Sequence, residues 1–249
     1  MAKVLEICVD SLVSARAAIR GGADRIELCS ALMAGGLTPV EMLLRQLREE
    51  SDIPVRCLMR PRPGDFLYTP EELAMLRRQI AQLKAAGADG FVIGCLTAEG
   101  DLDREAMKPL MEACGGRGIT LHRCIDVSRD PVATYLEAGE MGIDTVLTSG
   151  GAASAWLGKE AIARMIALRD TVGGPEVLIG AGVSVSVIRD FRTVIPDSRA
   201  FHMSGKKELE SGMRFRREGV PMGLPGLDEW HIQQTDEASV RAARIAIDT

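Results

Sequence analysis

Four pairs of residues spaced two apart carry most of the chemistry this chain offers: Glu6 with Cys8, Glu27 with Cys29, Thr120 with His122, and His202 with Ser204. Each pair lies in a short apolar run. In an extended strand residues two apart share a face, so both members of a pair are presented together. Arg60 ends another such run, two residues after Leu58. If these faces converge, they gather two carboxylates, two thiols, a guanidinium and two of the three histidines. Packing does not call for such a set, because buried charge without a partner costs several kcal/mol. Glu27, His122, Asp126 and His202 are the candidates for acid and base roles. Cys8 and Cys29 end consecutive runs, and neighbouring strands lie about 4.8 Å apart, so their sulfurs can meet. Two soft thiolates suit Cu(I), which accepts low coordination, better than Zn(II), which wants four ligands. The alternative is a pair of buried thiols, which is the reading for Cys57, Cys95, Cys114 and Cys124.

A second group points to anions. Arg60-Pro61-Arg62-Pro63-Gly64-Asp65-Phe66 is a proline-stiffened loop with two guanidinium forks. Gly180-Ala181-Gly182-Val183-Ser184 and Ser204-Gly205-Lys206 follow the last two apolar runs. Glycine backbone N–H groups beside a helix start bind phosphate or carboxylate, although the same glycines also serve plain tight turns.

The elements that must position these residues alternate from end to end. Gly22-Ala23-Asp24, Gly87-Ala88-Asp89 and Gly142-Ile143-Asp144 each precede an apolar run, as a glycine-closed helix turning into a buried strand would. Strands are expected at about 4–9, 25–29, 55–60, 90–95, 119–124, 145–149, 177–181 and 200–204. Thr38-Pro39-Val40-Glu41 and Thr69-Pro70-Glu71-Glu72 both read as helix-starting capping boxes. Further helices are expected near Ser11, Asp103, Asp130, Lys159 and Ser184, and a last one over about 236–247. Eight strands alternating with helices over 249 residues fit either a closed (β/α)8 TIM barrel or a doubly wound open sheet. The barrel is favoured, because Gly-x-Gly-x-x-Gly is missing after the first strand and polar residues recur at nearly every strand end, where a barrel has its mouth. The expectation is one domain over 1–249, with Gly219 to Trp230 a loop before the final helix.

Composition narrows the function classes. A net charge of −5 with only 4% aromatic residues argues against a nucleic-acid partner. No apolar stretch suggests a membrane span or a secretory signal, so a cytoplasmic protein with six free thiols is expected. Arg216 and Arg217 read as a solvated face, and the outer barrel helices suggest a homo-oligomer.

Leu5-Glu6-Ile7-Cys8-Val9-Asp10-Ser11, Gly22-Ala23-Asp24-Arg25-Ile26-Glu27-Leu28-Cys29 and Gly35-Gly36-Leu37-Thr38-Pro39 together resemble the CutC family of copper-homeostasis proteins. The resemblance continues through Arg60-Pro61-Arg62, Gly64-Asp65-Phe66, His122-Arg123 with Asp126, Leu147-Thr148-Ser149-Gly150, Gly180-Ala181-Gly182, and His202 with Ser204. It implies a TIM barrel, a cytoplasmic role in copper handling, and Cu(I) bound at Cys8 and Cys29. It also adds Ser149 and Gly150 to Arg60, Arg62, Gly180, Gly182 and Ser204 as anion-binding candidates. The residues themselves leave a second function open, an enzyme acting on a small anionic substrate through Glu27, His122, Asp126 and His202. Copper or a small anion is thus the expected partner.

Overall fold

Eight parallel strands close into a barrel in the computed structural model, which describes residues 3–217, 219–220 and 229–249. They are β1 (Val4–Val9), β2 (Arg25–Leu28), β3 (Val55–Leu58), β4 (Gly90–Ile93), β5 (Gly118–Leu121), β6 (Thr145–Thr148), β7 (Glu176–Ile179) and β8 (Ala200–Met203). Each pairs with the next in sequence, and β1 closes the ring on β8 with Glu6 beside His202. The helices α1 (Leu12–Gly21), α2 (Glu41–Glu50), α3 (Pro70–Ala85), α4 (Arg104–Cys114), α5 (Pro131–Glu140), α6 (Lys159–Val172) and α7 (Val185–Val194) connect successive strands, and α8 (Glu237–Asp248) packs on α1 and α7.

Outward strand residues such as Leu5, Ile7, Phe91 and Phe201 meet inward helix residues such as Leu44, Leu76 and Ile188 in one continuous apolar layer. The strands' inner faces are polar by contrast. Low in the barrel, Arg56 donates to Thr120 Oγ1 at 2.5 Å and to Asp144 at 2.6 Å, and Arg25 donates to Glu6. Gly90 and Gly118 make room for this layer, since a Cβ on either would lie under 3.0 Å from Arg56 atoms.

The three Gly-x-Asp repeats have a structural reason. Gly22, Gly87 and Gly142 all take positive φ, a left-handed conformation that costs glycine little. The aspartate two residues later then accepts the N–H of the preceding strand's entry: Asp24 from Leu5, Asp89 from Val55, and Asp144 from Ile119. Each aspartate also meets an arginine, respectively Arg244, Arg48 and Arg56. The motif therefore ties each strand pair at the closed end of the barrel.

Helix starts agree with expectation at Ser11, Thr69, Asp103, Asp130, Ser184 and Asp236, where each side chain accepts a first-turn N–H. Thr38 is a correction. The N-cap of α2 is Val40, without a side-chain cap, because the Thr38 hydroxyl is held by the backbone of Arg60 on both sides. A second departure comes after β8. Lys206–Glu210 and His231–Thr235 form an antiparallel pair, β9 and β10, flanking the expected loop where the sequence reading named no strand. Most of the expected loop at 219–230 lies outside the described residues.

Candidate functional site

Past the strand ends the barrel opens into a cavity of about 610 Å³, within the range of small-molecule sites. Cys8, Glu27 and His202 meet in its wall, because β1 pairs Cys8 with Glu27 and, on its other side, Glu6 with His202. One donor atom from each of the three lies within 4.8 Å of the others. Glu6 sits one layer deeper and is fully buried. It accepts from Arg25 and bonds His202 Nδ1 at 2.8 Å. This fixes the imidazole with Nε2 turned to Glu27, 3.8 Å away. Cys29 stands outside the trio. Its thiol lies 3.4 Å from Glu27 Oε2, to which it donates.

Burial works against every charge here, so the partners decide the protonation. Burial would raise the Glu6 carboxyl, but Arg25 and His202 together hold it at about 2. Glu27 is lifted by burial and by Glu6, with His202 pulling the other way. His202 is disfavoured as a cation by burial, yet Cys8, Glu27 and Glu6 hold it well above the ordinary histidine range. Burial and the neighbouring Glu27 push the Cys29 thiol far up. The result is an imidazolium held between Glu6 and Glu27, with the Cys29 thiol keeping its proton beside them.

His122 lies elsewhere in the same cavity and behaves differently. It follows β5 directly, and its Nδ1 accepts from the Cys124 N–H at 3.2 Å as the cap of a 3-10 turn. Burial, followed by the Arg60 charge, holds its pKa at about 3, so the ring is neutral and carries its hydrogen on Nε2. Gly94 makes the space, since a Cβ there would stand 2.5 Å from His122 Cε1. Arg60 reaches the carbonyls of Ala34, Gly36 and Gly64 and lies 5.3 Å from the Phe66 ring centroid.

The other expected site residues divide clearly. Gly182, Ser204 and Asp126 line the cavity, but Arg62, Ser149, Gly150 and Gly180 do not. Arg62 instead locks its own loop by pairing with Asp65 and Glu72 and donating to Leu67 O. Asp126 fills the turn after β6, accepting from Thr148 Oγ1, from the N–H groups of Ser149 and Gly151, and from Arg123. The anion in that turn is thus the chain's own carboxylate, leaving Asp126 little freedom as an acid or base. Between α7 and α8, where barrels often hold phosphate, Ser184 and Asp236 cap the two helices themselves. Sequence reasoning missed Arg25, although the alternation that selects Glu27 also puts Arg25 on that face. Lys206, which the sequence reading named only as the end of the Ser204-Gly205-Lys206 loop, also stands on the cavity wall.

Residues 3–206 match the CutC family. The chain is 37% identical over 249 residues to the family protein CutC of Vibrio vulnificus strain YJ016, covering 99% of this chain and 98% of that one. The chain belongs to the CutC family. It is also 39% identical over 241 residues to the human copper homeostasis protein cutC homolog, covering 96% of this chain and 86% of that one. The CutC structure from Streptococcus agalactiae superposes with a TM-score of 0.74 at 23% identity, covering 81% of this chain and 98% of that one. At that identity the superposition supports the barrel alone. Among the described residues, no helix is long and apolar enough to cross a membrane.

Proposed function

We propose that this CutC-family protein takes part in copper homeostasis by holding Cu(I) in the barrel mouth, in the cytoplasm. The observation that carries the reading is the convergence of Cys8, Glu27 and His202 donors within 4.8 Å. Cys8 Sγ and His202 Nε2 are the ligand pair of choice, because Cu(I) favours thiolate and imidazole and two ligands can suffice. Glu6 on Nδ1 orients the ring from behind, as carboxylates behind metal-bound imidazoles commonly do. Glu27 Oε1 is buried without a hydrogen-bond partner, the kind of oxygen a nearby cation satisfies. Binding displaces the His202 proton and the Cys8 proton, so affinity falls in acid. Cys29 belongs to the same apolar cluster as Cys8 and supplies a second thiol once it gives up its bond to Glu27. All six cysteines are buried and free, which fits a reducing compartment.

Anaerobic Cu(I) titration against a chromophoric competitor tests this. Cys8→Ser and His202→Gln lose the bound equivalent, while Cys29→Ser weakens binding less. Wild-type stoichiometry and affinity in both Cys8→Ser and His202→Gln would refute the site. Self-association through the outer helices is part of the same proposal, since Val13, Val40 and Met42 are exposed there.

A further inference from the structure

Seven buried side-chain nitrogen or oxygen atoms lack a hydrogen-bond partner among the described residues, and three belong to residues lining one cavity: Glu27 Oε1, Arg60 Nε and His122 Nε2. Two of these are donors that share a neighbour. The Phe66 ring centroid lies 4.9 Å from that of His122 and 5.3 Å from Arg60 Cζ. Neither donor has a role in holding copper, so a site built from them stands apart from the copper reading.

We propose that Arg60 and His122 form the receiving site for the carboxylate of a small organic acid, reached when the Phe66 side chain turns aside. Native proteins seldom leave buried donors unpaired, and two that share the Phe66 ring as a neighbour in one cavity wall suit the two oxygens of one carboxylate once that ring moves. The charge agrees. Arg60 meets only carbonyl oxygens at its Nη atoms, and no carboxylate forms an ion pair with it among the described residues. His122 stays neutral in its buried position, with Nδ1 committed to Cys124 and the ring hydrogen on Nε2. The pair therefore offers one positive charge and a neutral donor, a complement to a monoanion; a phosphate dianion would call for more charge. Lys206, also on the cavity wall with no carboxylate partner among the described residues, is placed for a second negative group at the rim. The cavity's 610 Å³ leaves room for a metabolite-sized body beyond the carboxylate.

Phe66 is suited to move. Its carbonyl accepts from the Leu96 N–H at 2.9 Å, and its half-buried side chain touches His122, Arg60 and the edge of the apolar core. In the proposal, rotation about its side-chain bonds uncovers the two donors while its carbonyl keeps the bond to Leu96.

The test tracks the His122 ring nitrogens by 1H–15N spectroscopy while the full chain is titrated with acetate, malonate, acetamide and inorganic phosphate. Saturable movement of the Nε2 signal by acetate or malonate, with acetamide silent, supports the proposal. Two variants separate binding from structure. His122→Asn keeps an acceptor for the Cys124 N–H but has nothing at the Nε2 position, so carboxylate binding weakens about tenfold or more, the worth of one hydrogen bond to a charged group. His122→Gln keeps a donor near Nε2 and loses the cap, so it binds within a few fold of wild type. Phe66→Ala binds carboxylate at least as well as wild type. No saturable shift with either carboxylate, a response to phosphate alone, or equal loss in the Asn and Gln variants would overturn it. Copper titration of the same variants stays unchanged, so failure here and failure of the copper reading are told apart.

Discussion

His122 and His202 are both buried imidazoles in one cavity, yet their surroundings set them to opposite charge states. His202 faces Glu6, Glu27 and Cys8, whereas His122 has Arg60 as its charged neighbour. Strand alternation in the sequence finds both residues but cannot assign their charges, which depend on residues distant in the chain: Glu6 lies 196 positions from His202. Stability depends on the difference. His122 binds its proton near pH 6.5 when unfolded and only near pH 3 when folded. Between those values the unfolded state holds the extra proton, so stability falls as pH is lowered through that window and is unaffected by this group above it. At pH 5 the cost is about 2 kcal/mol, from about 1.36 kcal/mol per unit over roughly 1.5 units below the unfolded value. His122→Asn removes it. Urea unfolding at pH 7.5 and pH 5 should therefore show the wild type losing about 2 kcal/mol more than the variant between the two. Parallel losses would mean that the ring is protonated in the native state.

At the scale of elements, the capping signals were legible where the capping side chain had no competitor, and failed at Thr38 because the Arg60 backbone takes its hydroxyl. The β9–β10 pair was not legible. Lys206–Glu210 is exposed at every charged position and shows no alternation of polar with apolar residues, and its partner strand begins only at His231. Helix packing gives a sharper case at Gly21, the last residue of α1. Propensity alone predicts that alanine there gains up to about 1 kcal/mol. A Cβ at Gly21, however, would stand 2.6 Å from Val240 Cβ and 2.9 Å from the Glu237 carbonyl oxygen. Neither atom can swing away, so α8 must shift. Overpacking of this kind costs about 1–3 kcal/mol and outweighs the helix gain. Gly21→Ala is expected to lower the urea midpoint, and a raised midpoint would show that α8 moves freely on α1.

For the whole molecule, the barrel was legible because its evidence is distributed: eight apolar runs, three Gly-x-Asp junctions and polar strand ends all repeat one unit. The site was legible only in part, since alternation places Glu27, Cys8, His122 and His202 inside but says nothing of depth. Glu6 and Cys8 share a face, yet Glu6 belongs to the buried layer with Arg25 and Cys8 to the cavity. Position in the ring also explains why copper should act on global stability. Cys8 comes from β1, Glu27 from β2 and His202 from β8, so the donor trio spans the seam where the first and last strands close the barrel. Unfolding opens that seam and disperses ligands that lie far apart in the chain, from Cys8 to His202. An ion held only by the folded barrel stabilises it by mass action, about 2.7 kcal/mol at a free concentration roughly one hundred times Kd. For a chain of this length that corresponds to a rise in Tm of about 5–10 °C. Anaerobic thermal unfolding with and without buffered Cu(I) should show this rise in the wild type and none in Cys8→Ser. An equal rise in the variant would mean that copper stabilises the chain from somewhere other than the seam.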